Sequence, residues 1–343
     1  MQSRPGRTLA RWLSRAEPRV AMGSFSTEAC LNCACASARS AFRPFAGGFR
    51  AGHYPGGMAR PFSALLFGFL FAGSIAGVSA ASGLRVMTFN VMCIICGHSD
   101  EIGPLSERMA GIADTINRHD PDLVSLQELL TGAQARDLRR LLHGDYQMVY
   151  ADGPFFGFAD PTLLVRTSRF RVHRTGGFWL GPSSPGFTLG WVLALPRRVQ
   201  WAELEDRTTG LRFTFAGTHF DARRKNSNPS AELVVKTLLP TDAPLVFAGD
   251  TNLPPGTRGF DALAASFRDT FTEVAEHPYV ANGPTVNSDG CALDPAFVFP
   301  DCRIDHVLLS PGAPWRTRSW SVDVFKYTRG FTSDHRAVVV DLE

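Results

Sequence analysis

Lysine is absent from the first 80 residues of this 343-residue chain, and acid nearly so: nine arginines stand against Glu17 and Glu28, a net charge of +7. The remainder of the chain lacks any excess of base. Positions 81–343 hold 26 basic and 30 acidic residues, a net charge of −4. A mildly acidic body offers no broad footprint for nucleic acid, whose binding rests on Lys and Arg neutralising many phosphates. The body also has no Pro/Gly/Ser-rich linker and no internal repeat of the solenoid kind, so neither a string of domains nor a repeat array fits. With 44% hydrophobic residues over its whole length, the chain is not disordered or collagen-like either. One globular domain over residues 81–343 is the economical reading.

The leader divides further. Pro61 to Ala80 is uncharged and about long enough to cross a bilayer at ~1.5 Å per residue. It comes after the short basic start Met58-Ala59-Arg60 and ends in the small residues Val78-Ser79-Ala80, the pattern of a signal peptide cleaved after Ala80. The expectation is a leader over 1–57 that precedes the true start at Met58, a signal peptide over 58–80, and an exported body, periplasmic or secreted. An uncleaved membrane anchor and an Arg-rich organelle transit peptide are the alternatives. Export bears on the cysteines: the body keeps Cys93, Cys96, Cys291 and Cys302, an even number that favours two disulfides. Three pairings exist, sequence neighbours being the expected one; a four-Cys zinc site is the rival, for which the ten-residue spacing between the last two fits badly.

Along the body, apolar β-rich runs alternate with amphipathic helices. Strands are expected at 84–90, 122–127, 146–150, 161–166, 170–180, 245–248, 304–309, 320–326 and 336–342, with a hairpin of 191–205 and 211–218 turned at Thr209-Gly210. Helices are expected at 105–118, 133–143, 229–239 and 260–267. Polar residues fall at the ends of the strands: Asn90, Glu128, Thr218-His219, Gly249-Asp250-Thr251-Asn252 and Ser333-Asp334-His335. Each alone has an ordinary explanation as a cap or a turn. Together they form a set held by a rigid sheet yet reaching solvent, where open α/β sheets place ligands.

Their chemistry is coherent. Asn90, Glu128 and Asp334 supply hard oxygen ligands for Mg²⁺ or Mn²⁺, and no zinc-type His cluster competes. His335 can act on a water or on phosphate, with Asp305 fixing its tautomer. His219 and Asn252 are donors for non-bridging phosphate oxygens, and Asp250 can orient or deprotonate an attacking water. Arg223, Arg224, Lys225 and Asn226 are candidate contacts to a second phosphate or an anionic head group, although three basic residues on a loop are often a solvated turn. The aromatic run Pro154 to Phe158 suits a lipid or base contact as well as a buried one.

The segments T-F-N at 88–90, L-Q-E at 126–128, T-H-F-D at 218–221, G-D-T-N at 249–252, R-I-D-H at 303–306 and S-D-H-R-A-V at 333–338 resemble, in order and spacing, the endonuclease/exonuclease/phosphatase superfamily. That group includes DNase I-like nucleases, abasic-site endonucleases, inositol polyphosphate phosphatases and neutral sphingomyelinases. The stretches Phe178 to Gly181 and Asn226 to Leu233 resemble an exported bacterial branch. The resemblance implies a four-layer α/β/β/α sandwich, two packed mixed sheets flanked by helices, and a divalent-metal phosphohydrolase. It carries metal ligation onto Glu128 with Asn90 close by, phosphate contact onto His219, water activation onto Asp250 and oxyanion support onto Asn252; Asp334 and His335, the latter paired with Asp305, complete the site. Phe220 and Thr251 depart from the usual pattern without touching those side chains. The expected function is an exported metal-dependent phosphoesterase acting on a small phosphate ester or a phospholipid head group. A non-specific nuclease is the runner-up, not favoured by charge, and an inactive binding scaffold the third reading. Oligomeric state leaves no mark in the sequence.

Overall fold

A computed structural model describes residues 83–93, 96, 102–151, 158–240, 243–274, 303–328 and 330–343. The leader, the signal-peptide segment, Cys291, Cys302 and most of the 154–158 aromatic run lie outside the described residues. Every strand and helix named here belongs to the unit Ser74–Glu343.

Among the described residues, twelve strands form two six-stranded mixed sheets. The first is built from β1 (Leu84–Asn90), β2 (Leu123–Gln127), β3 (Tyr146–Ala151), β4 (Phe158–Arg166), β11 (Thr317–Val322) and β12 (Val338–Leu342), in the order β11-β12-β1-β2-β4-β3. The second comprises β5 (Phe170–Trp179), β6 (Arg198–Asp206), β7 (Arg212–His219), β8 (Leu245–Asp250), β9 (Arg268–Asp269) and β10 (Asp305–Leu309), in the order β5-β6-β7-β8-β10-β9. Each sheet has one parallel pair at its centre, β1 with β2 and β7 with β8. A parallel pair needs a crossover, and the helices α1 (Leu105–His119) and α3 (Arg224–Leu238) supply it. Helices α2 (Gly132–Leu141), α4 (Arg258–Ser266) and the short α5 (Thr270–Glu273) complete the set.

Three apolar clusters produce four layers. Leu84, Val86 and Leu123 from one sheet meet Phe213, Phe215 and Val246 from the other in a central core. Alternate residues of the same strands, such as Met87, Phe89 and Val124, pack under α1 and α2, while Phe247 and Ala216 pack under α3 and α4. Because the inner strands are buried on both faces, they read in sequence as continuous apolar runs, which is why their bounds were legible.

The structure differs from the sequence reading in several places, of which four bear on the site or on the layers around it. Trp191 to Arg197 is not strand: Gly190 takes a φ of 87° and the Asn226 amide binds both the Val192 N–H and its carbonyl, so pairing starts only at Arg198. Helix α3 starts at Arg224, five residues before the expected Pro229, which sits inside the helix instead of at its first turn. Strand β11 stops at Val322, since Asp323 turns to accept the Phe325 N–H. The short β9 and α5 had no periodic signal long enough to reveal them.

Gly217 of β7 faces Ser125 and Leu163 of the first sheet. A Cβ on Gly217 would lie 2.5 Å from Ser125 Oγ and from Leu163 Cδ2. Gly217→Ala is expected to cost about 1–3 kcal/mol through overpacking. Urea unfolding measures this, and a variant as stable as the parent would show that the sheets yield there.

Candidate active site

Strand register brings the polar strand ends together. His219 pairs with Asp250 in the parallel β7/β8 ladder, and Asp305 pairs with Asp250 across β10/β8, so three titratable side chains form a row at one edge of the second sheet. Asn90 ends β1 in the first sheet beside Gln127, the last residue of β2. The two rows meet: Asn90 Nδ2 donates to Glu128 Oε1 at 2.9 Å and to Asp250 Oδ2 at 3.1 Å. Asn90 Oδ1 in turn accepts the Met92 N–H, which fixes the plane of the amide.

Two imidazoles flank Asp250 in the same manner. His335 Nδ1 lies 2.8 Å from Asp305 Oδ2 and its Nε2 3.8 Å from Asp250 Oδ2. His219 Nδ1 lies 2.9 Å from Asp160 Oδ2 and its Nε2 3.4 Å from the same Asp250 oxygen. All five of these residues are buried. Burial works against a charge on His335, but the carboxylates of Asp305 and Asp250 outweigh it and push its pKa up to about 10. Burial, and then the nearby Asp305 carboxylate, raise the Asp250 carboxyl above its ordinary value, so it holds a proton more readily than a surface aspartate.

Asn252 is fixed by its own turn. Its N–H donates to Asp250 Oδ1 at 2.8 Å and its amide donates to the Phe220 carbonyl at 3.0 Å. Met92, Glu128 and Asn252 all adopt left-handed backbone, with φ of 55°, 71° and 53°. Such conformations are uncommon outside glycine and cluster where a site dictates side-chain direction. Asp334 accepts from Ser333 Oγ at 3.2 Å, and its charge acts on His335 and on the buried Arg108.

Three further residues had no place in the sequence reading. Asp160, in β4, accepts the Glu128 N–H at 3.2 Å and Arg197 Nη1 at 2.9 Å as well as facing His219. Burial opposes its charge, but His219 and Arg197 bring its carboxyl below the ordinary value. Arg197 Nη1 also reaches His219 Nδ1 at 2.6 Å. One tautomer of His219 therefore accepts from Arg197 and turns Nε2–H toward Asp250, while the other donates from Nδ1 to Asp160. Arg108 donates to the carbonyls of Val91, Met92, Gly103 and Thr332, joining the segments after β1 and before β12.

Of the candidate substrate contacts, Arg224 reaches the site's edge, donating to the Asn252 carbonyl. Arg223 is engaged by Asp221 at 2.9 Å, Lys225 is exposed, and Asn226 is buried against Val192 and Asp221, where both its polar atoms are used. Cys93 and Cys96 form the expected disulfide. The bridge lies against Glu128: the Cys93 N–H donates to Glu128 Oε2 at 2.6 Å.

The donor set fits a hard divalent cation. Glu128 and Asp250 share one amide hydrogen-bond donor, Asp250, Asp305 and His335 offer atoms within 4.8 Å of one another, and two buried carboxylates side by side gain from a nearby cation. Among the described residues both imidazoles are already engaged by carboxylates and the Cys93–Cys96 bridge leaves no thiolate at the site, so the soft ligands that zinc prefers are few there.

A family model described as the Endonuclease/Exonuclease/phosphatase family matches residues 87–335. A search of curated protein sequences finds no match. Among solved structures, the Bacteroides thetaiotaomicron mannosyl-6-phosphatase Bt3783 is similar at 26% identity and a TM-score of 0.62, over 76% of this chain and 99% of that one. An endonuclease/exonuclease/phosphatase protein from Bacteroides vulgatus is similar at 24% identity and a TM-score of 0.64, over 76% and 99%. The D. rerio TDP2 complex with single-strand DNA product shares the fold at 18% identity and a TM-score of 0.57, over 76% and 99%.

Opening the Cys93–Cys96 bridge by Cys93→Ser with Cys96→Ser frees the segment that presents the Cys93 N–H to Glu128. Mn²⁺ affinity, measured by paramagnetic resonance titration, is expected to fall about tenfold, the usual cost of losing a supporting contact to a ligand. An unchanged affinity would separate the bridge from the carboxylate.

Proposed function

Because the chain belongs to the endonuclease/exonuclease/phosphatase family, a family of metal-dependent phosphoric ester hydrolases, we propose that it hydrolyses a small phosphate monoester or diester by in-line attack of water. The observation that carries this reading is the pair of imidazoles, each backed by a buried carboxylate and each turning Nε2 toward one Asp250 oxygen.

In this reading Asp250 orients the water and takes its proton, a task helped by a carboxyl whose proton affinity is raised. His335, held protonated by Asp305 and Asp250, donates to a phosphoryl oxygen. His219, whose Nε2 turns to Asp250, and Asn252, whose N–H donates to the same carboxylate, hold the remaining non-bridging oxygens in this reading. Asp160 and Arg197 set the orientation of His219. Glu128 and Asn90, together with Asp334, would hold Mg²⁺ or Mn²⁺, which would supply neutralisation of charge developing on the phosphoryl group. Residues 58–80 fit an export signal cut after Ala80, and the Cys93–Cys96 bridge is in keeping with an oxidising compartment.

A lipid head group is the second reading, favoured by one observation. Five of the exposed large apolar side chains lie between Phe187 and Leu195, where Phe187 is 62%, Leu193 76% and Leu195 68% exposed. This loop is tied through Val192 to Asn226, next to the exposed Arg223, Arg224 and Lys225. Apolar side chains flanked by base suit the boundary of an anionic bilayer. A long nucleic acid is less well served by a body with 26 bases and 30 acids.

Residues 81–343 with Mg²⁺ are expected to hydrolyse a bis-aryl phosphodiester, with turnover abolished by EDTA. His335→Ala should lower kcat by about 10²–10⁴-fold. Parent-like rates in that variant would remove His335 from the reaction, and metal-independent turnover would overturn the assignment. For the second reading, replacing Leu193 and Leu195 together by Ser should cut sedimentation with phosphatidylglycerol vesicles at least tenfold, since each CH₂ no longer buried costs about 0.8 kcal/mol. Equal sedimentation would leave the soluble ester as the substrate class.

A further inference from the structure

One sizeable cavity lined by described residues lies away from the catalytic cluster. It measures about 670 Å³ and opens where the edge strand β3 of the first sheet runs beside the edge strand β5 of the second. Its walls come from β3, from Thr175 and Gly176 of β5, from Arg198 and Gln200 of β6, and from Arg136 and Arg139 of α2. None of the residues assigned to the phosphate chemistry lines it.

Arg198 is the feature that demands a ligand. It is only 9% exposed, and among the described residues no carboxylate or carbonyl accepts from its guanidinium; its Nε is buried without a partner. Its nearest compensation is the face of Trp179, 5.1 Å from the guanidinium carbon, a weaker interaction than an ion pair. Burial depresses its pKa to about 10, which still leaves it charged at neutral pH. The charge has been given room: a Cβ on Gly177 would collide with Arg198 Nη2. A buried, unpaired guanidinium is costly, whereas the same group against an oxyanion makes strong, often bidentate hydrogen bonds.

Gln200 adds a second unmet demand of opposite sense. Its Nε2 donates to the Gly176 carbonyl at 2.8 Å, but its Oε1 is buried with no donor. The pair thus lacks one anionic acceptor and one donor, in a space of ligand size. Arg136, exposed on α2, and Arg139, held by the Tyr146 carbonyl, add positive charge at the rim.

We propose that this cleft is a second binding site, separate from the catalytic cluster, for an oxyanion borne on a hydroxylated ligand: the phosphate or carboxylate lies on Arg198 and a hydroxyl donates to Gln200 Oε1. The site does not depend on the proposed hydrolysis, and its test is arranged accordingly.

Calorimetric titrations of the whole chain in EDTA, where metal-dependent binding and turnover are suppressed, use three probes: inorganic phosphate, sorbitol 6-phosphate and gluconate. The parent is expected to bind, with a hydroxylated probe at least threefold tighter than inorganic phosphate and with a higher melting temperature when bound. Arg198→Met should weaken binding of every probe at least tenfold. In anion-free buffer it should melt no lower than the parent, because a buried charge has been removed. Its rate on the bis-aryl phosphodiester should stay within twofold of the parent. Gln200→Leu serves as a second variant should Arg198→Met fail to fold, and is expected to bind phosphate normally but lose the preference for hydroxylated probes. The proposal is overturned by a parent that binds none of the probes, by an Arg198→Met protein that binds them as the parent does, or by a Gln200→Leu protein that keeps the preference. Whether the parent hydrolyses the diester is read separately, so either conclusion can fail without the other.

Discussion

One amide joins the two halves of this protein. Asn90 stands at the end of β1 in the first sheet, and its Nδ2 donates both to Glu128, just beyond β2, and to Asp250 at the end of β8 in the second sheet. For that contact to form, both sheets must present the carboxyl ends of their central parallel strands at the same edge, in register and at close approach. Gly217 permits the approach where Ser125 and Leu163 would meet a side chain. The twin apolar cores outside the sheets and the shared core between them hold the geometry. The site is thus a consequence of how two sheets are stacked, with loops contributing mainly at its rim.

The electrostatics arise from the same convergence. Bringing Glu128, Asp160, Asp250, Asp305 and Asp334 to one edge concentrates negative charge in a region where most of these carboxylates are buried. The fold answers with His219, His335, Arg197 and Arg108, each placed so that its donors meet carboxylates or carbonyls. The compensation is incomplete at Asp250, whose carboxyl is raised by burial and by Asp305. A basic carboxylate between two imidazoles, beside an acidic pocket suited to a dication, is a chemically consistent arrangement for activating water next to a phosphate. At Arg198 the situation is reversed, because there, among the described residues, the uncompensated charge is positive; it lines the cleft between the edge strands β3 and β5, one residue along the chain from Arg197.

Much of this was legible in the sequence. Strands buried on both faces leave uninterrupted apolar runs, so a polar residue that closes one stands out, as Asn90, Glu128, His219 and Asp250 do. Asp160 escaped because it lies near the start of an apolar strand instead of closing one, where a single acid resembles a turn residue. Arg197 escaped because it lies in a stretch whose alternation suggested a strand, and the side chain of Asn226 that makes it a turn comes from 34 residues away in sequence. Arg108 sits on an amphipathic helix, where arginine ordinarily faces water; only tertiary structure shows it folded back onto four carbonyls. Pro229 misplaced the start of α3, since proline favours a first turn and here occupies an interior position. In each case a local preference was overridden by a partner distant in sequence.

The Asn90–Glu128–Asp250 junction has the chemistry of a divalent-cation site that serves a phosphate ester. The most direct measurement is an anomalous difference map from a crystal of residues 81–343 grown with Mn²⁺ and inorganic phosphate. A peak is expected within ligand distance of a Glu128 carboxylate oxygen, with phosphate density between His219 and His335. Manganese bound elsewhere, or phosphate held only at sites remote from these two imidazoles, would contradict it.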